Sequence, residues 1–331
     1  MKHFPLILAL LLAMGGCSAQ QTSAAALPTA LPAASPSSSP VPTPTPTATP
    51  TAAPTPEPTP TPDPWEDIFT DEEIVKIKPN DSWVYTSPTL SVFIRQHFED
   101  DCFSLFFTAH IYSRDPDNFS TILWNEETGR DVTQPENIAR KYRAVFAQNG
   151  DFFYDSWNVA LGPDIRNGVV FKDTLGPDCM AMLNNGALYM FKKGRDIYSV
   201  EAFQQMGIRN TIAFGPIIVE NGQVCPGMES HELFRRNPRS ALGMVEVGHY
   251  VSILVDGRKP HISNGCTLER LAQEMIKEGC VSAYNLDGGQ STAMVFMGDQ
   301  LNDHKKEVTQ GQRRIPDMLM FGTSSLAKAL E

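Results

Sequence analysis

Three short polar motifs, each beside an apolar strand-like segment, hold the side chains best suited to chemistry. In the first, AQNGDFF, Asn149 and Asp151 are two residues apart. On an extended chain they would point into one shared cavity. The alternative is an ordinary Asn-Gly turn with an exposed aspartate. The phenylalanines that follow would then have to be buried directly after a surface turn, so a binding site is an equally good interpretation.

The second motif, NPRSALG, places Arg239 directly before a strand. Pro238 restricts the approach of the chain, which favours a fixed guanidinium fork aimed at a carboxylate or phosphate. The alternative is a solvated charge whose stem covers apolar surface.

The third motif is AYNLDGGQSTAM, in which Asp287 is followed by Gly288, Gly289, Ser291 and Thr292. Successive glycine amides can form an anion-binding nest, and a helix beginning near Ser291 would add its N-terminal dipole. The alternative is an Asp-Gly turn with a Ser/Thr cap. That alternative leaves unexplained why so polar a turn lies between apolar neighbours.

The elements that must position these motifs are mostly strands. Aromatic and β-branched content predicts strands in SVFIRQHF, CFSLFFTAHIYS, YRAVFAQNGDFF, TIAFGPIIVENGQV and SALGMVEVGHYVSILVDGR. The segment TLERLAQEMIKEG predicts a helix that is capped by Thr267 and ends at Gly279. We therefore expect an α+β fold with a mixed, mainly antiparallel sheet core flanked by helices.

The first sixteen residues have the pattern of a lipoprotein signal peptide. A lysine precedes an apolar run from Phe4 to Met14, and Gly15 and Gly16 lead into Cys17. The run is too short to span a bilayer permanently. Lipidation of Cys17 would anchor the protein to the cell membrane on its extracytoplasmic face. An ordinary secretory signal with an incidental cysteine is the alternative.

Residues 17–64 are predicted to be a disordered spacer. From Leu27 to Pro64 the chain is almost wholly Pro, Thr, Ala and Ser. Such a segment cannot bury enough apolar surface to offset its ordering entropy. Alternating prolines favour extended geometry, so the spacer would hold the remaining residues, 65–331, on the order of 100 Å from the membrane.

Overall charge and cysteine usage exclude several classes of function. The 331-residue chain has a formal net charge of -11 at pH 7, which argues against nucleic acid as a partner. Beyond Cys17 it has five cysteines without CxxC spacing, and its histidines are scattered. A zinc site is therefore disfavoured, and at least one of the five thiols must be unpaired.

In order, NGDFF, FGPIIVENG, NPRSALG, VDGR, SNGCTLERLAQEM, AYNLDGGQSTAM and RRIPDMLMF resemble the motif series of the phosphodiester glycosidase family. The resemblance spans roughly Ala147 to Phe321. Its most characteristic element is Leu-Asp-Gly-Gly followed by Ser-Thr. Many members have a third glycine where this chain has Gln290, which would alter the turn or add a substrate contact.

The resemblance implies a hydrolase that cleaves a sugar 1-phosphodiester, releasing free sugar and a phosphate monoester. It gives Asp287 the role of nucleophile or base and Asp151 that of the second carboxylate. Phosphate would be held by Arg239 and the amides of Gly288 and Gly289. The residues expected to orient the sugar or the phosphate are Asn149, Ser291 and Thr292, with Arg314 as a second arginine candidate.

Two other interpretations stay open. The same fold could be a non-catalytic cell-surface module that binds a phosphorylated glycan. It could also be a metal-assisted phosphodiesterase acting on a wall polymer, with Asp151 and Asp287 as oxygen ligands of a hard cation such as calcium. The glycosidase needs no cofactor. It is favoured over the binding module because a site that only binds an anion gains nothing from adjacent acids.

Overall fold

The computed structural model describes residues 65–129, 131–152, 162–174, 176–196, 199–230, 233–304 and 311–331. By its contacts the chain divides into two units, Met1–Pro60 and Thr61–Glu331, and all described residues lie in the second. The predicted signal peptide, Cys17 and the spacer lie outside the described residues. None of the helices described is long and apolar enough to cross a membrane.

Short strands make up most of the regular structure. The strands of the first half of the domain are β1 (Ile74–Lys78), β2 (Ser82–Thr86), β3 (Leu90–Glu99), β4 (Ser104–Ser113), β5 (Phe119–Leu123), β6 (Ala144–Asn149), β7 (Asp164–Arg166), β8 (Val169–Lys172), β9 (Cys179–Leu183) and β10 (Leu188–Phe191). Those of the second half are β11 (Ile208–Ile212), β12 (Ile217–Glu220), β13 (Gln223–Val224), β14 (Arg239–Glu246), β15 (His249–Val255), β16 (Ser282–Asn285), β17 (Met294–Phe296), β18 (Asp299–Gln300) and β19 (Asp317–Thr323).

Helices are few and short. The α-helices within the described ranges are α1 (Pro135–Lys141), α2 (Val200–Gln205) and α3 (Leu268–Lys277). Single 3-10 turns occur at Glu66–Ile68, Pro116–Asn118, Met228–Ser230 and Gly289–Ser291.

The strands form four sheets. The largest has the order β1-β2-β3-β4-β15-β14-β16-β12-β13, and a five-stranded sheet has the order β18-β17-β6-β19-β5. Smaller sheets are β10-β9-β11 and β7-β8. Every strand pair in the described part of the chain is antiparallel. The predicted mainly antiparallel sheet is confirmed, but the helices are so few that α+β describes the fold only loosely.

The main core lies between the nine-stranded and five-stranded sheets. Strand β19 shows how the second of these is buried on both faces: Leu319 and Phe321 join the core between the sheets, whereas Met318 and Met320 join a second cluster that includes α1. Successive side chains of a strand point to opposite faces, which produces this alternation. A strand covered on both faces has no polar side, and this explains the continuous apolar run MLMF.

The predicted helix is α3, and its ends follow the expected signals. The Thr267 hydroxyl accepts the amide of Arg270 at 3.2 Å, and Gly279 has a φ of 92° after the last turn. Leu268, Leu271 and Met275 are buried. Local sequence therefore specifies both the ends and the buried face of this helix.

All five described cysteines, Cys102, Cys179, Cys225, Cys266 and Cys280, are buried and free. Burial raises the pKa of the thiols, and in Cys266 and Cys280 it does so to about 12. They are therefore neutral core side chains, and no disulfide links them.

One buried amide joins the two large sheets. Gln148, on β6, is 1% exposed. Its Nε2 donates to Ser240 Oγ at 2.8 Å, to the Ala241 carbonyl at 3.2 Å and to the Ile253 carbonyl at 3.4 Å. Its Oε1 accepts the hydroxyl of Ser252. This bridge fixes the end of β6 relative to β14 and β15.

Replacing Gln148 with leucine should lower the free energy of unfolding by about 2–3 kcal/mol, because the polar groups it satisfies would stay buried without partners. Urea denaturation measures the change. The exposed Gln204 on α2 offers a matched control, and Gln204→Leu should change stability by less than about 0.5 kcal/mol. Equal effects of the two substitutions would contradict the bridging role.

Candidate functional site

The first and third polar motifs meet where β6 and β16 end. Asn149 is the last residue of β6, and its Nδ2 donates to the carbonyl of Asp287 at 2.8 Å. Its Oδ1 accepts the amide of Ala293 at 3.0 Å. The Asp287 amide in turn faces the Gly150 carbonyl at 3.4 Å. Asn149 therefore ties together both ends of the Asp287 turn through its Nδ2 and its Oδ1.

Asp287 is a nearly buried carboxyl at the centre of this turn, with 6% of the residue exposed. Its Oδ1 accepts the amide of Gly288 at 2.8 Å, and its Oδ2 lies 3.8 Å from Arg313 Nη1. Burial raises the pKa of Asp287 to about 6, against the lowering effects of Ser291 and Arg313. The carboxyl is therefore mostly ionised at neutral pH yet poorly hydrated, as suits a nucleophile or general base.

The two hydroxyls after the turn have different surroundings. Thr292 Oγ1 donates to the Gly289 carbonyl at 2.8 Å, which makes it a cap of the 3-10 turn. Ser291 is 1% exposed, and its Oγ has no hydrogen bond of standard geometry within the described structure. It lies close enough to Asp287 to lower the pKa of that carboxyl. Ser291 is thus a buried hydroxyl beside the Asp287 carboxyl.

Both glycine amides already have acceptors within the protein. The Gly288 amide donates to the Asp287 carboxylate, and the Gly289 amide donates to the Pro238 carbonyl at 3.0 Å. The φ of Gly289 is 62°, and a Cβ there would lie 3.0 Å from Arg258 Nη2. Hence the two glycines shape the turn and admit an arginine above it, rather than forming the predicted anion nest.

Arg239 is buried behind the turn. Its Nε donates to the Cys266 carbonyl at 3.2 Å, and its Nη2 donates to the carbonyls of Arg235, at 2.5 Å, and Leu233. Burial lowers the pKa of its guanidinium. Contacts of this kind hold the loop before β14 in place, and they occupy two of the three nitrogens of the guanidinium that was predicted to hold phosphate.

Arg258 is the arginine that lies over the turn. It belongs to the VDGR motif. Its backbone has a φ of 57°, a left-handed conformation that residues other than glycine seldom adopt. Its Nε and Nη2 both donate to Asn237 Oδ1, at 3.2 and 2.9 Å. Within the residues that the structure describes, no carboxylate lies within ion-pair distance of it. A half-buried guanidinium of this kind, with one nitrogen left over, is suited to an anionic ligand.

The second arginine near Asp287 is Arg313 and not Arg314. Arg313 is half-buried, and its amide donates to the Gln290 carbonyl at 2.8 Å, whereas Arg314 is exposed. Gln290, which replaces the third glycine of the motif, also donates from Nε2 to the Gly311 carbonyl at 3.1 Å. Gln290 therefore helps to seat the segment that carries Arg313.

Asp151 is enclosed, and both of its oxygens are occupied. Oδ1 accepts the amide of Phe152 at 2.9 Å, and Oδ2 accepts the amide of Ala213 at 3.1 Å and Nη2 of Arg166 at 3.3 Å. Burial raises the pKa of Asp151 to about 6, while the charge of Arg166 opposes the shift. Burial is the main cause of the raised pKa of Asp287, and the charge of Asp151 adds to it. Asp151 supports the site from behind.

Four charged residues near the site were not predicted: Arg166, Arg258, Arg313 and Asp317. Arg258, Arg313 and Asp317 lie inside quoted motifs, and an aspartate directly before the apolar run of β19 is a signal that sequence could have offered. Asp317 also explains Gly150, because a Cβ there would lie 3.0 Å from Asp317 Oδ1. Nothing in the sequence around Arg166 distinguishes it from a surface arginine.

Potential metal ligands cluster elsewhere. Across the described ranges, three such side chains come together at His97, Glu99 and Glu274. Glu274 there already pairs with Arg270 at 2.8 Å and Lys277 at 3.0 Å. Among the residues that the structure describes, neither Asp151 nor Asp287 belongs to such a group.

A cavity of about 270 Å³ opens near the site. Phe214 lines it, and the Phe214 ring stacks on Phe152 with 5.5 Å between ring centroids. Lys192 and Lys193 also line the cavity. Asp178 lines the cavity as well, so the space beside Phe152 combines an aromatic wall with charges of both signs.

Comparison with known proteins gives one family and a small set of relatives. The model of the family described as "Phosphodiester glycosidase" matches residues 142–322. The SPbeta prophage-derived uncharacterized protein YomE of Bacillus subtilis (strain 168) is 28% identical over 174 residues, which are 50% of this chain and 26% of that protein. N-acetylglucosamine-1-phosphodiester alpha-N-acetylglucosaminidase of Bos taurus is 28% identical over 176 residues, 49% of this chain and 33% of the relative. The chain thus spans about a quarter to a third of the length of these relatives.

A solved structure that shares the fold comes from the same kind of enzyme as the Bos taurus relative. It is the catalytic domain of the zebrafish N-acetylglucosamine-1-phosphodiester alpha-N-acetylglucosaminidase, auto-inhibited by its pro-peptide. The TM-score is 0.58 at 19% identity, and the match covers 76% of this chain and 89% of that chain.

Proposed function

This chain belongs to the phosphodiester glycosidase family, and from that premise we propose that it is a hydrolase of sugar 1-phosphodiesters. Water would be added across the bond between the anomeric carbon and the phosphate oxygen. The products would be the free sugar and a phosphate monoester. The observation that carries the proposal is Asp287, a poorly hydrated carboxyl with a raised pKa, set between Ser291 and Arg313.

In the proposed reaction Asp287 acts at the anomeric carbon, either as nucleophile or as base for the attacking water. The bond from that carbon to the phosphate oxygen breaks, and its electron pair leaves with the phosphate. A phosphate oxygen is a good leaving group, so the site needs charge stabilisation more than a strong acid. The geometry supports Arg258 and Arg313 for this role, with Ser291 Oγ as an additional donor.

Asp151 is assigned a supporting role. Because both of its oxygens already accept hydrogen bonds, it is poorly placed to give a proton to a ligand. Its charge instead adds to the rise in the pKa of Asp287 that burial causes. Asn149 and Thr292 likewise act on the turn through the backbone. The cavity lined by Phe214, Lys192, Lys193 and Asp178 is proposed to take the rest of the substrate, such as a phosphorylated glycan.

The test of the reaction is a panel of sugar 1-phosphodiesters, with free sugar and phosphate monoester measured separately. Release of both at equal rates is expected. Release of a sugar 1-phosphate and a free alcohol would contradict the glycosidase, and saturable binding without turnover would support the binding module. Activity lost with EDTA and restored by calcium or magnesium would support the metal-assisted phosphodiesterase.

The raised pKa of Asp287 predicts the acid side of the pH profile. The carboxylate must be ionised to act, so kcat/KM should rise with pH through a midpoint near 6, well above the 3.8 of an ordinary aspartate. Initial rates between about pH 4.5 and 8, on a substrate whose phosphodiester stays ionised, measure this. A midpoint near 4 would contradict the assignment of Asp287.

We further propose that the protein is anchored to the outer face of the cell membrane through lipidated Cys17. The proposal rests on the apolar run that ends at Gly15 and Gly16 directly before this cysteine. Cys17→Ser should move most of the protein from the membrane fraction to the soluble fraction, as measured by immunoblotting. An unchanged membrane fraction would contradict it.

A further inference from the structure

Arg166 lies at the centre of a buried ion cluster behind the site. Only 2% of the residue is exposed. Its nitrogens lie 3.3 Å from Asp151, 2.9 Å from Asp164 and 2.8 Å from Asp317. Its Nη1 also donates to the carbonyls of Ile165, at 3.2 Å, and Thr211. All three nitrogens of the guanidinium are therefore used, which the single ammonium of a lysine could not reproduce.

The cluster has more negative than positive charge. Three carboxylates surround one guanidinium, and no other cation pairs with them in the part of the chain that the structure describes. Fully ionised, the group would bury a net charge of about -2, which is costly in a poorly hydrated interior. Burial raises the pKa of Asp317 to about 7 and that of Asp151 to about 6. Retaining a proton is the way in which closely spaced carboxyls avoid this cost.

Two further titratable groups face the cluster. Burial raises the pKa of the Cys179 thiol, which keeps that side chain neutral. The pKa of Asp287 is raised by burial and, to a smaller extent, by the charge of Asp151. The protons held by the cluster therefore affect the electrostatic environment of the turn.

A chain of short contacts leads from Arg166 to the turn. Asp317 Oδ1 accepts the amide of Asp151 at 3.3 Å, and its carboxyl lies over Gly150. The carbonyl of Gly150 faces the amide of Asp287 at 3.4 Å. The backbone against which Asp287 is seated is thus fixed on its far side by Asp317 and Arg166.

We propose that Arg166 is a positioning residue that acts together with Asp317. The pair fixes the Gly150 and Asp151 backbone behind Asp287, and the three-carboxylate cluster retains one proton near neutral pH. The catalytic part of this inference rests on the proposed function, whereas the retained proton does not.

The catalytic part is tested with Arg166→Lys, which keeps the charge but loses the fork. We expect kcat on a sugar 1-phosphodiester to fall at least about tenfold while KM changes less than about threefold, since orientation and not binding is lost. Arg270 is a matched control because it also pairs with three carboxylates, Glu99, Asp101 and Glu274, away from the turn. Unchanged kcat in Arg166→Lys, or an equal loss in Arg270→Lys, would overturn the positioning role.

The retained proton is tested without any substrate, by urea denaturation of the wild type and of Asp317→Asn between about pH 5 and 7. A carboxyl whose folded pKa is raised binds a proton in the folded state that the unfolded chain has released. Stability therefore falls as pH rises through this window, and Asn removes that contribution. The slope of the unfolding free energy against pH should become less negative, by the amount that corresponds to about one bound proton. Equal slopes would overturn the shared proton, and a wild type that hydrolyses none of the panel would refute the proposed function alone.

Discussion

Asp287→Asn should lower kcat on a sugar 1-phosphodiester by about a thousandfold or more, with little change in KM. Asparagine keeps the size of the side chain and an oxygen that can accept the Gly288 amide, so the turn should persist. It removes the negative charge that attacks the anomeric carbon or activates water. Steady-state kinetics of the purified variant measure the loss, and circular dichroism checks its fold.

A matched control for this substitution is Asp117→Asn. Asp117 is exposed and pairs with Arg209. Removing one such surface ion pair changes stability by less than about 1 kcal/mol and should leave turnover unchanged. Near-normal turnover in a folded Asp287→Asn protein would show that Asp287 only shapes the turn.

Arg258→Lys should lower kcat/KM on the phosphodiester by about a hundredfold, because lysine keeps the charge but loses the planar fork. The loss should shrink on an aryl glycoside that lacks the phosphate. Comparing the two substrates in the same assay separates phosphate contact from general damage. A loss of equal size on both substrates would contradict a phosphate contact.

The lysine variants of Arg239 and Arg314 serve as comparisons for Arg258→Lys. Arg239→Lys should lower the thermal midpoint, since one ammonium cannot serve the carbonyls of Leu233, Arg235 and Cys266 together. Its effect on kcat/KM should not depend on the phosphate. Arg314 is exposed, and its lysine variant should retain activity within about twofold. A phosphate-dependent loss in Arg239→Lys but not in Arg258→Lys would restore the sequence-based assignment.

The features predicted best from sequence are those that depend on local signals. Thr267 and Gly279 delimit α3 because capping is decided within one helical turn. Composition recognised the five segments that overlap β3, β4, β6 and β11 to β15, whereas β1, β2, β5 and β7 to β10 were not predicted. The assignment of Asn149 and Asp287 to one site came from the family resemblance, and the direct contact between them is a finding of the structure.

The features that were not predicted depend on where distant segments meet. Sequence offered Arg239 for the phosphate, yet the loop at Leu233 and Arg235 folds back over its guanidinium. Sequence made the amide of Gly289 a plausible donor to an anion, but in the structure this amide donates to the Pro238 carbonyl. Contacts of this kind are set by tertiary packing, and a motif cannot report them. The role of Arg166 was not predicted for the same reason, because its partner Asp317 is 151 residues away in the sequence.

The most direct test of the central claim is hydrolysis of a sugar 1-phosphodiester in water enriched in oxygen-18. Cleavage between the anomeric carbon and the phosphate oxygen leaves every phosphate oxygen in place, so the monoester should be unlabelled when it is examined by mass spectrometry. Attack of water at phosphorus would give the same two products with one labelled oxygen in the monoester. An unlabelled monoester is the result predicted for a glycosidase built around Asp287, and a singly labelled one would contradict it.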